Sequence, residues 1–150
     1  MDWQSEYLIN ALNDARLNFA DQGRYVQYHG GYMQLMYFLT GEHDNYDRKH
    51  GAFGRVKPRN NFFTPSKCHG CSGSGAWQIG FRYNYLDLND KGLNGGILNS
   101  YVLGLNWFWN PNMKWQFNYS ATDRDSSAVT GRELGSGTIH GFGTRIALDF

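Results

Sequence analysis

From Trp77 to Phe150 apolar residues return at every second position, often as aromatic rings, with polar or small residues between them. Segment 113–122 is the clearest case. Met113, Trp115, Phe117, Tyr119 and Ala121 share one parity, and Lys114, Gln116, Asn118, Ser120 and Thr122 the other. Period two is the strand period, because successive side chains leave a pleated strand on opposite sides. The pattern predicts five more strands. The first, 3–12, sets Trp3, Ser5, Tyr7, Ile9 and Ala11 against Gln4, Glu6 and Asn10. The second, 28–40, sets Met33, Leu35, Tyr37 and Leu39 against a less polar face of Tyr32, Gln34, Met36 and Phe38. The third, 76–88, opposes Trp77, Ile79, Phe81, Tyr83 and Tyr85 to Gln78, Gly80, Arg82 and Asn84. The fourth, 98–109, opposes Tyr101, Leu103, Leu105, Trp107 and Trp109 to Ser100, Gly104 and Asn106. The last, 138–150, opposes Phe142, Thr144, Ile146, Leu148 and Phe150 to Gly141, Gly143, Arg145 and Asp149.

A strand of a soluble sandwich also alternates, but rarely with two or three large rings on one face. A strand with lipid on one side and water on the other must do so. Each segment reaches the ~9–11 residues that cross a bilayer when tilted. The expected fold class is therefore all-β: an antiparallel transmembrane β-barrel. Its lipid-facing band would be Trp77, Tyr83, Tyr85, Tyr101, Trp107, Trp109, Trp115 and Tyr119, some of them at the headgroup girdles. A soluble sandwich is the rival, and it requires those rings to pair internally.

Asn110-Pro111-Asn112 reads as a tight turn between the fourth and fifth strands, since proline presets φ and asparagine tolerates turn geometry. Stretches 13–27, 89–97 and 123–137 read as longer polar loops. In bacterial outer-membrane barrels short turns face the periplasm and long loops the outside. Alternation then leaves the long inserted connection, about 41–75, on the periplasmic side as a lumen-folded plug or a docking segment. Six strands fall short of the ~8 that close a membrane barrel. The start Met1-Asp2-Trp3 also lacks the basic region and apolar core of an export signal. Both point to 1–150 as the C-terminal portion of a single outer-membrane barrel domain; closure by several copies is the less economical account.

Composition changes little. The 150 residues are 41% hydrophobic, 17% aromatic and 18% charged, and no run approaches the ~18 apolar residues of a spanning helix. The mean hydropathy of -0.59 is what a barrel gives when lumen residues cancel lipid residues. A net charge of +1 offers no field for nucleic acid, which is not an expected partner.

A series of motifs follows in order: Tyr37-Phe38-Leu39-Thr40-Gly41-Glu42, Gly51-Ala52-Phe53-Gly54-Arg55-Val56-Lys57-Pro58, Gly75-Ala76-Trp77, Arg82-Tyr83 and Leu86-Asp87-Leu88-Asn89-Asp90. After them come Leu103-Gly104-Leu105-Asn106-Trp107, Asn110-Pro111-Asn112 and the terminal Phe150. Over roughly 25–150 this series resembles the C-terminal part of the phosphate-selective porin O and P family. The resemblance implies a trimeric outer-membrane barrel of about sixteen strands, within the even-numbered range of bacterial barrels. It also implies a Gram-negative outer-membrane location, phosphate or polyphosphate as substrate, outer-membrane lipid and lipopolysaccharide as surroundings, and a homotrimer in the full-length form. The terminal Phe150 with Phe142, Ile146 and Leu148 looks like the signal read by the barrel-assembly machinery. The segment Lys67-Cys68-His69-Gly70-Cys71 departs from the family, whose members do not usually carry cysteine there.

Candidate chemistry lies in three places. Arg82, Lys114 and Arg145 occupy polar faces, where fixed cations would concentrate anions and Arg would match phosphate oxygens. They could equally be water-facing residues paired with Asp87, Asp149 or Glu6. The 48–67 stretch carries Arg48, Lys49, Arg55, Lys57, Arg59 and Lys67, with no Asp or Glu between Asp47 and Asp87. It would line the path if it enters the pore, or otherwise attract lipid headgroups or a periplasmic surface. Cys68 and Cys71 suit a local disulfide in an oxidising compartment. A zinc knuckle would need His69, His50 or His43 to complete four ligands. Ser72 after Cys71 rules out haem attachment, which needs Cys-x-x-Cys-His. The expected function is passive diffusion of small anions without catalysis, cofactor or metal. A plugged structural or adhesive barrel is one alternative. A lipid hydrolase is another, and it would have to bring His140, His43 and Ser136 together.

Overall fold

The computed structural model describes residues 1–15, 24–43, 46–47, 51–62, 73–90, 93–125 and 136–149. Eight strands form: β1 (Asp2–Ala15), β2 (Arg24–Phe38), β3 (Tyr46–Asp47), β4 (Ala52–Phe53), β5 (Ala76–Asp90), β6 (Leu93–Asn110), β7 (Met113–Asp125) and β8 (Gly137–Leu148). The short β3 and β4 pair only with each other, inside the connection. The other six make one antiparallel sheet in the order β1-β2-β5-β6-β7-β8, a meander whose open edges are β1 and β8.

Register settles the faces, because residues directly opposed across a ladder point to the same side. Trp3, Leu35, Phe81, Leu103, Tyr119 and Phe142 form one row through all six strands. Gln4, Gln34, Arg82, Val102, Ser120 and Gly141 form a row on the opposite side. Every strand therefore contributes its apolar parity to one face and its polar parity to the other.

The apolar rings are not gathered into an interior. Trp3 is 66% exposed, Leu103 51% and Phe142 74%, which no soluble sandwich core allows. Near the turn end of the sheet Trp77, Trp107 and Trp115 stand opposite one another. Trp77 stacks on Trp107 with centroids 4.8 Å apart, and Trp107 on Trp115 at 6.5 Å. Such an indole row suits a membrane–water interface, where amphipathic rings concentrate.

The buried cluster is small and lies on the polar side at the same end: Phe38, Ala76 and Phe108, with Val56 of the connection packed against them, while Val26 is buried separately near the start of β2. Phe62 packs edge-on against Trp107, at 4.8 Å, on the aromatic side. The connection thus straddles the turn-end rim of the sheet. Leu39 N donates to Trp77 O, Phe62 N to Trp109 O and Gly75 N to Asn60 O, at 2.8, 2.8 and 3.1 Å. Gly75 takes φ +69, and a Cβ there would lie 2.3 Å from Phe108 O, so only glycine fits this return into β5.

Most strands run longer than side-chain alternation predicts. The expected loop 89–97 is largely strand, since β5 runs to Asp90 and β6 starts at Leu93 across a bulge between Asp87 and Asn89. β1 reaches Ala15, β2 begins at Arg24 and β7 reaches Asp125. The backbone ladder continues where alternation fades, because each paired N–H and C=O is satisfied whatever side chain it carries. The second strand stops at Phe38 rather than at 40. There Thr40 turns its hydroxyl to accept from Trp77 N at 3.0 Å.

Candidate functional site

The polar face consists of amides and hydroxyls with a few cations, and the register fixes where each cation stands. Lys114 lies opposite Phe108 and Ala147, with Nζ 5.7 Å from the Phe108 ring centroid. Arg145, in the adjacent row, lies opposite Gln116 and donates to its Oε1 from Nε at 3.1 Å and Nη2 at 2.8 Å. Gln116 Nε2 then donates to Asn106 Oδ1, and Asn106 Nδ2 to Gln78 Oε1, both at 2.9 Å. Four strands are thereby crossed by one chain of donors running from a guanidinium to a buried amide.

The next row is Gly80, Gly104, Asn118 and Gly143, where missing side chains leave the wall thin. Arg82 stands one row beyond, opposite Gln34 and Val102. Its Cζ lies 4.0 Å from the Tyr32 ring centroid and its Nε donates to Asn84 Oδ1 at 2.7 Å. Rows on one face are about 7 Å apart along a strand, so Lys114 and Arg145 occupy adjacent levels and Arg82 stands two levels beyond Arg145. Their contacts are with neutral groups. The carboxylates that could have paired with them are engaged elsewhere or stand apart. Asp149 bridges to Arg55 at 3.0 Å, Asp87 lies 3.8 Å from His29, and Glu6 stands opposite Tyr32 on β1.

A second basic group lies at the turn end, where Glu42, His43, Arg55, Lys57 and Arg59 line a cleft of about 310 Å³. Arg55 donates to Asn112 Oδ1 at 3.0 Å while bridging to Asp149, so it ties the connection to the β6–β7 turn and the end of β8. Arg59 donates from Nη2 to Gly41 O at 2.9 Å and from its backbone amide to Glu42 Oε1 at 3.2 Å. Thr40 Oγ1 donates to Glu42 Oε2. Burial raises the Glu42 carboxyl, but the Thr40 hydroxyl, the Arg59 amide and the Arg59 charge outweigh it and hold the group below its ordinary range. Arg55 and Lys114 also share a neighbouring cavity of about 380 Å³, which brings the two basic groups together.

Arg48, Lys49, Lys67, Cys68, Cys71, His50, His69 and Phe150 lie outside the described residues. His140 and His43 lie at opposite ends of the sheet. His140 is on the aromatic face, bonded to Tyr119 Oη at 2.9 Å, and His43 is in the connection's cleft. Ser136 precedes β8. Sequence reasoning missed the roles of Gln78, Asn106, Gln116 and Tyr32. Folding the chain at the Pro111-Asn112 turn would have set Asn106 against Phe117, and only the bulge between Phe108 and Asn110 brings it to Gln116; the other pairs need the register of longer connections.

An antiparallel meander with exposed rings on one side and an amide face carrying cations on the other is a wall of a porin-type barrel. The family described as phosphate-selective porin O and P matches over residues 1–150, and the chain belongs to that family. It is 28% identical over 158 residues to Porin O of Pseudomonas aeruginosa, covering 98% of this chain and 32% of that protein. It is 35% identical over 121 residues to an uncharacterized protein of Caulobacter vibrioides, covering 81% of this chain and 23% of that protein. The chain thus spans between 23% and 32% of the length of these relatives. The family is one of channels rather than enzymes.

Proposed function

We propose that this chain is the C-terminal wall of a larger outer-membrane porin through which small anions, phosphate or polyphosphate among them, diffuse passively. The polar face is the water-filled side and the aromatic face meets lipid and lipopolysaccharide. The observation that carries the reading is the placement of Arg82, Lys114 and Arg145 on one face with neutral partners. Fixed charge not cancelled by a neighbouring carboxylate raises the local concentration of anions and lowers that of cations. The cleft of Arg55, Lys57 and Arg59 continues this charge to the periplasmic mouth. The whole protein is a homotrimer in a Gram-negative outer membrane, inserted by the barrel-assembly machinery, and the 41–75 connection is an insertion in its single barrel domain.

Reconstitution of the full-length pore in planar bilayers under a salt gradient tests this. The wild type should show an anion-selective reversal potential, and Arg82→Ala combined with Arg145→Ala should move it toward zero. A potential that ignores both substitutions would leave the proposal without support. A plugged barrel, the second reading, is favoured by Val56 sitting over Phe38, Ala76 and Phe108 on the polar side. It would pass no current until the connection is shortened.

A further inference from the structure

Toward the long-loop ends of β1, β2 and β5 the polar face contains a recess that the anion path leaves unused. Leu8, Gly30 and Leu86 form one row across these strands. A Cβ on Gly30 would come within 2.8 Å of Tyr85 O and 3.1 Å of Leu86 Cδ1, so the floor between the two leucines is bare backbone. Tyr28 and Tyr32, one position away on this face in each direction along β2, close the ends. The resulting cleft holds about 380 Å³ and is also lined by Asn84 and Leu88. Leu8 is 58% exposed and Leu86 39%.

A hydrated wall has no need of leucines flanking a glycine floor, whereas a ring or short aliphatic body seated there would leave water. Two charges adjoin the cleft, both acting on Tyr32: the Glu6 carboxylate on the β1 side and the Arg82 guanidinium on the β5 side. Arg82 Cζ lies over the Tyr32 ring, 4.0 Å from its centroid, and its Nε is committed to Asn84 at 2.7 Å. Both of those partners line the cleft. The guanidinium is thereby held beside the cleft, against two of its lining residues, with only its Nε committed, and a planar fork of that kind suits phosphate oxygens. Glu6 stands opposite Tyr32 on the β1 side, away from Asn84.

We propose that this cleft binds organic phosphate monoesters. The phosphate sits on Arg82, and the apolar body lies on Gly30 between Leu8 and Leu86. This rests on the reading of the polar face as the water-filled wall of a pore and adds a class of ligand to it.

The test compares phenyl phosphate with inorganic phosphate as blockers of chloride current through the full-length pore. Phenyl phosphate should block at about tenfold lower concentration, the factor that burying part of one ring supplies. Leu86→Asn, or Leu8→Asn on the edge strand, should bring the two anions level, and Arg82→Ala should weaken phenyl phosphate block. Equal block by the two anions in the wild type, or no response to either leucine substitution, overturns the proposal. A second measurement needs no current. Leu86→Cys, made with Cys68→Ser and Cys71→Ser, should react with a water-soluble thiol reagent in the folded protein and be protected by phenyl phosphate but not by inorganic phosphate. A thiol that never reacts means that another segment of the protein fills the cleft, which also overturns the proposal. If the wild type passes no anion-selective current while phenyl phosphate still protects, the pore reading fails and the binding site stands.

Discussion

Arg145 gives two donors, Nε and Nη2, to the single oxygen Gln116 Oε1, at 3.1 and 2.8 Å. That contact turns the guanidinium along the sheet rather than away from it. The Gln116 amide is itself oriented, because its Nε2 donates to Asn106 at 2.9 Å. A charge held this way sits at a fixed level on the wall without losing its sign, as it would beside a carboxylate.

Gln116→Glu converts the contact into an ion pair and should lower selectivity for anions over cations. Exposed pairs are worth up to about 1 kcal/mol, so the permeability ratio should fall by up to about fivefold. Gln116→Leu keeps the charge but frees the side chain, and should leave the ratio nearer the wild type. Reversal potentials rank the three proteins, and identical values would show that Arg145 does not face the ion path.

Gly75→Ala forces a side chain into φ +69 and against Phe108 O. Strain of this kind costs about 1–3 kcal/mol. The heat-modifiable transition in detergent should move to lower temperature. The Trp107 Nε1 bond to Ser74 O, 2.8 Å long, should be lost with it and alter indole emission. An unshifted transition would mean that the rim tolerates another return into β5.

Arg55→Ala should act on the connection more than on the sheet. Arg55 and Asp149 are 46% and 64% exposed in their side chains, so their bridge contributes at most about 1 kcal/mol. Thermal stability of the whole protein should barely change, while protease cuts the 41–75 connection faster. Arg55→Lys should be intermediate, since an ammonium lacks the fork that reaches Asn112 and Asp149 together.

The clasp at Glu42 should be acid-sensitive. Its carboxyl is held below the ordinary range when folded. The stabilisation is therefore complete above the unfolded pKa, about 4.3 for glutamate, and is lost as pH falls through the lower folded value. Hydrogen exchange at the Arg59 amide should accelerate in that acid window. Glu42→Gln should make exchange fast at neutral pH and remove the dependence.

The two faces of the sheet were legible in residue order. From Trp77 to Leu148 the parity that reads as apolar is the parity found on the aromatic face, because pleating leaves a strand no other way to place alternate side chains. Even the weak contrast of the second strand came out on the expected sides. Less legible were the strand ends and the base of the sheet. Residues 89–97 look like a loop because alternation stops there, although Asn89 still pairs with Asn94 and Asp90 with Leu93. Phe38 makes the second strand's polar face less polar than alternation asks, and the structure explains it: Phe38 clusters there with Ala76 and Phe108 under Val56 of the connection.

By itself the chain determined the six strands of the main sheet, the side on which Arg82, Lys114 and Arg145 stand and the family it belongs to, but not the short β3–β4 pair inside the connection. All of these follow from local periodicity and from short motifs in order. Only the tertiary structure decided who meets whom across the strands: Gln116 under Arg145, Tyr32 under Arg82, Leu8 and Leu86 around Gly30. Those meetings depend on register across connections of unequal length, and a shift of one residue would exchange every partner and every face.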